Sequence, residues 1–170
     1  HESGDAGIGS TGGIVLGVDP GLEITGYGLI ESAAGRAVLL EAGTIRTRRS
    51  APLPDRLKEL YEGLSSVIEG FSPEVMGMEE IYSHYAHPAT AIVMGHARGV
   101  LCLAAAVRGL PVTALQATLV KKLVTGNGRA GKEQVSGMVR HLLGIREEIR
   151  PPDVTDALAV AIALMERGEP

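Results

Sequence analysis

The chain has 170 residues, a formal net charge of −4 and 45% apolar residues, which is typical of a folded globular domain and excludes a disordered tail. Its single cysteine, Cys102, excludes a disulfide scaffold. The longest apolar run, Ala157 to Met165, is far shorter than the about 20 residues that a membrane span needs. The sequence shows no charged start followed by an apolar stretch, which is the pattern of a secretory signal. We therefore expect a cytoplasmic protein without membrane association.

The first part of the chain predicts a leader followed by strands. Residues 1–13 are small, polar and rich in glycine, so we predict a flexible leader there and a single domain over residues 14–170. Short apolar runs predict three strands and one hairpin turn. The strands are expected at 13–18, 25–31 and 38–45, and the turn at 33–36.

Beyond residue 50 the apolar spacing changes to three and four residues, which predicts helices that alternate with strands. The predicted elements are a helix around 57–68, a strand at 74–78, a helix at 90–108, a strand at 111–115, and helices at 117–124, 132–143 and about 152–167. Within the helix at 90–108 one apolar stripe contains Ile92, Val93, His96, Val100 and Leu103, and His96 is predicted to be packed. The whole order predicts a mixed five-stranded sheet flanked by helices, as in ribonuclease-H-like folds.

Charge is distributed unevenly along the chain. Residues 51–97 carry seven acidic and two basic side chains, whereas residues 98–140 carry seven basic side chains and one acidic one. Such a basic block is either a solvated face or a surface for a phosphate-rich partner.

Three acidic residues follow apolar strand patterns. Asp19 ends the first predicted strand, where it either forms a turn with Pro20 and Gly21 or belongs to a functional site. Glu79 and Glu80 follow the strand at 74–78, and strand alternation directs them to opposite faces. Their alternative role is that of solvated acids at a strand end.

A second acidic pair opens the last predicted helix. Asp153 and Asp156 are three residues apart and therefore share a helix face. Their alternative role is structural, because an Asp after two prolines is a good N-cap and acids in a first turn suit the helix dipole.

Taken together, these carboxylates indicate a metal site. Ligands bind outside the carboxyl ends of strands in open α/β sheets, where Asp19 and Glu79 are predicted to lie. Clustered carboxylates repel one another unless cations bind them, and oxygen ligands suit Mg²⁺ or Mn²⁺. Two such ions promote phosphodiester hydrolysis, and the basic block would then hold a nucleic-acid backbone.

Five sequence blocks, in order, resemble the RuvC-type Holliday-junction resolvases over about residues 14–165. They are GVDPG (17–21) with TGYG (25–28), MEEIY (78–82), GHARGVL (95–101), the basic segment at 120–139, and DVTDALAVAIA (153–163). The resemblance implies a ribonuclease-H-like fold and a homodimer that resolves four-way DNA junctions by paired cuts in recombination and repair. It also implies a branch-migration complex as partner.

The resemblance also implies roles for single residues. The catalytic carboxylates are Asp19, Glu79, Asp153 and Asp156, which bind two Mg²⁺ or Mn²⁺ ions. In the block MEEIY, alignment with the family from the preceding residues selects Glu79, and so does the following Ile81-Tyr82. Alignment from the later ARG motif (97–99) selects Glu80 instead. We predict Glu79.

The expected DNA contacts come from the same blocks. They are Tyr82, Arg98, Lys121, Lys122, Arg129 and Lys132. Tyr82 is expected to stack on an unpaired base at the crossover, with ordinary packing as its alternative. Lys121 and Lys122 have the alternative role of solvated helix residues.

Three other functions are weighed against this one. The first is a nucleotide triphosphatase, because residues 126–132 fit the P-loop pattern G-x-x-x-x-G-K. However, Glu133 follows instead of the required Ser or Thr, and no predicted strand precedes the segment. The opening of the chain also resembles sugar kinases and actin-like ATPases, whose two lobes 170 residues cannot supply. A non-catalytic junction-binding protein explains the basic block but leaves the four carboxylates unexplained.

Overall fold

The computed structural model describes residues 12–80 and 87–168, and all ten predicted elements are present there. The strands are β1 (Ile14–Asp19), β2 (Ile24–Ala33), β3 (Arg36–Arg46), β4 (Val75–Glu79) and β5 (Val112–Leu115). The helices are α1 (Leu53–Phe71), α2 (Pro88–Val107), α3 (Ala117–Thr125), α4 (Lys132–Leu143) and α5 (Pro152–Arg167). Most of the predicted leader, residues 1–11, lies outside the described residues, so its flexibility stays a prediction.

The strands form one mixed sheet in the order β3-β2-β1-β4-β5. β1 pairs antiparallel with β2, and β2 with β3, whereas β4 runs parallel to both β1 and β5. The predicted hairpin turn joins β2 and β3 at Ala34 and Gly35, whose φ angles are 49° and 74°. The predicted mixed five-stranded sheet is confirmed.

Helices cover both faces of the sheet, and the alternation of β1 divides its side chains between them. Leu16 and Val18 belong to a core beneath α1 and α2, whereas Val15 belongs to the core formed with α3, α4 and α5. On the α5 side Gly17 takes the place of a larger residue, because a Cβ there would collide with the main-chain carbonyl of Ala157. The sheet and α5 therefore pack backbone to backbone.

Helix α2 turns a different face to the core from the one that its apolar stripe suggested. Its buried residues are mostly small, namely Ala97, Leu101, Ala104 and Ala105. The small side chains let the helix pack closely, Val100 of the stripe is partly buried, and Ile92, Val93 and Leu103 are left exposed. The helix is long and apolar enough to cross a membrane by length and composition, but its alanine face packs in the core.

The outer face of α2 is consequently apolar and exposed. Ile92 is 63% exposed, Leu103 54% and Val107 61%. His96 lies exposed on the same face, so the prediction that it is packed is wrong. We call Ile92, His96, Gly99, Leu103 and Val107 the outer stripe of α2.

Candidate active site

Asp19 and Glu79 lie side by side at one edge of the sheet, on the face that α5 covers. Their strands, β1 and β4, are parallel neighbours. Gly17 and Gly77, two positions earlier on each strand, both lie against α5. Because strand side chains alternate, Asp19 and Glu79 point to the same side as these glycines.

The same alternation distinguishes Glu79 from Glu80. Glu79 is the last residue of β4 and faces α5, whereas Glu80 is directed to the opposite face. The Glu80 N–H donates to the Leu115 carbonyl at 2.8 Å, which continues the pairing of β4 with β5 by one residue. The geometry favours Glu79 as the member of the acidic site.

The first two turns of α5 bring Asp153 and Asp156 to this edge. The N-cap of α5 is Pro151, and no side chain caps the helix, so Asp153 does not have the capping role considered above. Gly26, which pairs with Asp19 across β1 and β2, lies against the main chain of Asp153. The close approach at Gly26 places the start of α5 beside the end of β1.

The electrostatics of Asp19 reflect the four carboxylates together. Its pKa is raised from 3.8 to about 7, first by burial and then by the negative charges of Asp156, Asp153 and Glu79, while Lys132 opposes the rise. An aspartate whose pKa is raised this far stays largely protonated up to about neutral pH, which is unusual for a strand end and typical of a functional site.

The other carboxylates show the same two influences. Burial and the charge of Asp156 raise the pKa of Glu79, and Lys121 and Lys132 counteract this. Burial and Asp153 raise the pKa of Asp156, and Lys132 again opposes the rise. The carboxylates thus form one electrostatically coupled group with two lysines beside it.

The donors of this group are carboxylate oxygens, which suit a hard divalent cation such as Mg²⁺ or Mn²⁺ rather than zinc. Within the described residues, no three Asp, Glu, His or Cys side chains converge closely enough to hold one ion. Like charges at this edge repel one another, and a bound cation would draw the carboxylates together. The residues present therefore fit divalent cations in donor chemistry.

The basic segment flanks the acidic group. Lys132 is the first residue of α4, and Lys121 lies half-buried on α3. Lys122 and Arg129 are exposed, and Tyr82 lies outside the described residues. Helix α3, not a strand, precedes the loop at 126–131, so this segment is not the nucleotide-binding loop that its glycines resemble.

Arg98 has a contact that the sequence did not indicate. From α2 its Nη1 donates a hydrogen bond to the main-chain carbonyl of Glu79. The two residues are 19 positions apart in the chain, so no local pattern links them. The glycine contacts at Gly17 and Gly26 were missed as well, although alternating glycines within strand patterns are a signal of close backbone approach.

Comparisons with known proteins identify the family of this chain. The family model described as "Crossover junction endodeoxyribonuclease RuvC" matches residues 15–164. The protein of that name from Rhodopirellula baltica is 49% identical over 148 residues, which cover 87% of this chain and 83% of the relative.

Solved structures agree as well. The structure titled "T. thermophilus RuvC in complex with Holliday junction substrate" superposes with a TM-score of 0.85 at 34% identity, covering 91% of this chain and 93% of that one. The yeast mitochondrial Holliday junction resolvase shares the fold, with a TM-score of 0.64 at 18% identity over 89% of this chain and 77% of that one. The coupled carboxylates, the mixed sheet and a match over most of its length show that the chain belongs to the RuvC family of crossover junction endodeoxyribonucleases.

Proposed function

We propose that the chain resolves four-way DNA junctions by hydrolysing phosphodiester bonds at an acidic site formed by Asp19, Glu79, Asp153 and Asp156. The main support is the position of half-buried Asp19 beside the start of α5, where the negative charges of the other three carboxylates act on it. The T. thermophilus relative, which resembles this chain over most of its length, is bound to a Holliday junction in its structure.

The four carboxylates would hold two Mg²⁺ or Mn²⁺ ions. Such ions supply an activated water and charge stabilisation when bound. In the hydrolysis, the water oxygen forms a bond to phosphorus, the bond to one bridging oxygen breaks, and the products are a phosphate end and a hydroxyl end. Lys132 and Lys121 lie close enough to the carboxylates to lower their pKa values. These lysines would bind the phosphate and offset its growing negative charge.

Other basic residues would hold the DNA backbone. Lys122 and Arg129 are exposed on the basic segment and free of carboxylate partners within the described residues, which suits contacts to phosphates. Tyr82 stays a proposed contact at the crossover. Arg98, predicted as a DNA contact, instead has an internal contact with the main-chain carbonyl of Glu79.

The outer stripe of α2 supports a homodimer as part of this proposal. The stripe is apolar and exposed, and an added Cβ at Gly95 or Gly99 would meet no atom within 4 Å. Two such helices related by a two-fold axis approach closely at the glycines and bury the aliphatic side chains of both copies. The dimer would bring two acidic sites to one junction, whose opposing strands are themselves related by a near two-fold axis.

Two further features of the proposal rest on the resemblance alone. A branch-migration complex would deliver the junction to this nuclease. We also propose that this protein works in the cytoplasm, as expected of a nuclease that acts on junctions in cellular DNA.

Exchange of Asp19 for asparagine tests the proposal. We expect Asp19→Asn to lower cutting of a four-way junction by more than about a hundred-fold, because the site loses a charge needed for the cations. Junction binding without metal should stay within about two-fold, since an aspartate offers no positive charge to a phosphate. Equal loss of binding and cutting would contradict this assignment, and junction binding by a wild-type protein that never cuts would favour the non-catalytic alternative.

A further inference from the structure

Arg98 lies in the middle of α2, one residue after buried Ala97 and away from the outer stripe of that helix. Its side chain is half-buried and reaches across to the end of β4, where it donates to the Glu79 carbonyl. Within the described residues it forms no ion pair with a carboxylate. Its charge is therefore directed at the backbone of the acidic site and not at a neighbouring acid.

The carbonyl that Arg98 binds lies where β4 has lost one of its two strand partners. The pairing of β4 with β1 ends at Met78, one residue earlier. On the other side β5 pairs with Glu79 at Leu115 and accepts the N–H of Glu80. The Arg98 hydrogen bond holds the carbonyl of the residue whose side chain faces the other carboxylates.

We propose that Arg98 is a positioning residue, which fixes the backbone of Glu79 so that its carboxylate joins the other three in binding the cations. A hydrogen bond from a charged donor is stronger than one between neutral groups, and a guanidinium with restricted rotation gives it a defined direction. Residues that orient metal ligands in this way typically alter metal affinity by about ten- to a hundred-fold when they are exchanged. The inference rests on the proposed function of the acidic site and adds to it a role for α2.

This role differs measurably from that of a DNA contact. A DNA contact contributes to junction affinity and to its salt dependence, and it does so without metal. A positioning residue contributes to metal affinity and to cutting, and it leaves metal-free junction binding unchanged.

The experiment compares wild type with Arg98→Met, which keeps the length of the side chain but loses donor and charge, and with Arg98→Lys, which keeps both a donor and the charge. Arg36→Met is the control for loss of an exposed positive charge, since Arg36 lies at the β2–β3 hairpin on the far edge of the sheet. For each protein we measure the Mn²⁺ concentration that gives half of the maximal rise in melting temperature. Junction affinity in EDTA and cutting at saturating Mn²⁺ complete the set.

We expect Arg98→Met to need at least about ten-fold more Mn²⁺ for the half-maximal rise, with junction affinity in EDTA within about two-fold of wild type. Arg98→Lys should recover most of the Mn²⁺ response, and Arg36→Met should equal wild type throughout. A lower junction affinity with an unchanged Mn²⁺ response would overturn the proposal and make Arg98 a DNA contact. If Arg98→Met does not fold, Arg98→Lys provides the test. A wild-type Mn²⁺ response together with several-fold weaker junction binding in that variant would also overturn the proposal. A wild-type protein without any Mn²⁺ response would instead overturn the proposed function of the acidic site.

Discussion

Gly26 of β2 lies directly against the main-chain carbonyl of Asp153, at the start of α5. The same glycine pairs with Asp19 across β1 and β2. One residue without a side chain therefore determines how close the aspartates of α5 come to the aspartate of β1. The acidic site depends on this packing contact as much as on the acids themselves.

Exchange of Gly26 for alanine should displace α5 from the sheet. We expect Gly26→Ala to lower the free energy of unfolding by about 1–3 kcal/mol, because the added methyl overlaps backbone that has little room to move. Cutting should fall further than stability alone explains, since Asp153 and Asp156 move with the helix. Chemical denaturation and junction cleavage at a temperature where both proteins are folded measure the two effects.

Gly70→Ala is the matched control for this variant. Gly70 lies within α1, and an added Cβ there would meet no atom within 4 Å. The variant should be neutral or slightly stabilising, because alanine favours helix over glycine. Similar losses in both variants would show that the contact at Gly26 has no special role.

Glu79 and Glu80 offer a direct comparison of two adjacent acids. We expect Glu79→Gln to lose cutting by more than about a hundred-fold, because its carboxylate faces the coupled group. Glu80→Gln should retain cutting within about three-fold, since strand alternation directs Glu80 to the other face. Single-turnover cleavage rates measure both, and the reverse order of effects would exchange their roles.

Burial of the acidic group should appear in the pH dependence of stability when metal is removed. The pKa of Asp19 is raised in the folded state, from 3.8 to about 7, so the folded state binds this proton more tightly than the unfolded state does. The contribution of Asp19 to stability is therefore fully present below about pH 4 and is lost as the pH rises through about 7.

Asp19→Asn has no such titration. In EDTA, its free energy of unfolding relative to wild type should rise between pH 4 and pH 8 by at most about 4 kcal/mol, which is the value that corresponds to the rise in the pKa of Asp19. Denaturation of both proteins across this range measures the difference. A difference that is independent of pH would contradict the burial and coupling described for Asp19.

The outer stripe of α2 predicts the effect of a charge at the proposed dimer interface. Leu103→Glu should raise the dimer dissociation constant by at least about a hundred-fold, because the exchange occurs in both copies of a symmetric interface. The control is Val38→Glu on β3, where a similarly exposed apolar side chain lies away from α2. Sedimentation across protein concentrations measures the constant, and equal behaviour of the two variants would remove the stripe from the interface.

Much of the fold could be predicted because its signals are local. Strand runs, helix spacing and the turn at Ala34 and Gly35 lie within short stretches of sequence. Asp19 and Glu79 were predicted at the ends of strands, whereas the face that they share became clear only from the pairing of β1 with β4 and the contacts of Gly17 and Gly77 with α5. Their coupling to α5 followed from the topology and from the resemblance.

The remaining features depend on contacts between distant parts of the chain. The apolar stripe of α2 did not indicate the core face, because the helix packs with its alanines and leaves Ile92 and Leu103 exposed. The hydrogen bond from Arg98 to Glu79 joins a helix to a strand end and depends on the packed fold. Helix spacing and strand alternation describe single elements, and neither contains such information.

Cutting of a labelled synthetic four-way junction, compared with a linear duplex of the same sequence, tests the central claim most directly. Parallel reactions contain EDTA, Mg²⁺ or Mn²⁺. We predict paired cuts near the crossover with either metal, none in EDTA and none on the duplex. Tight binding of the junction without cuts under any metal would contradict the account and leave the carboxylates without a catalytic role.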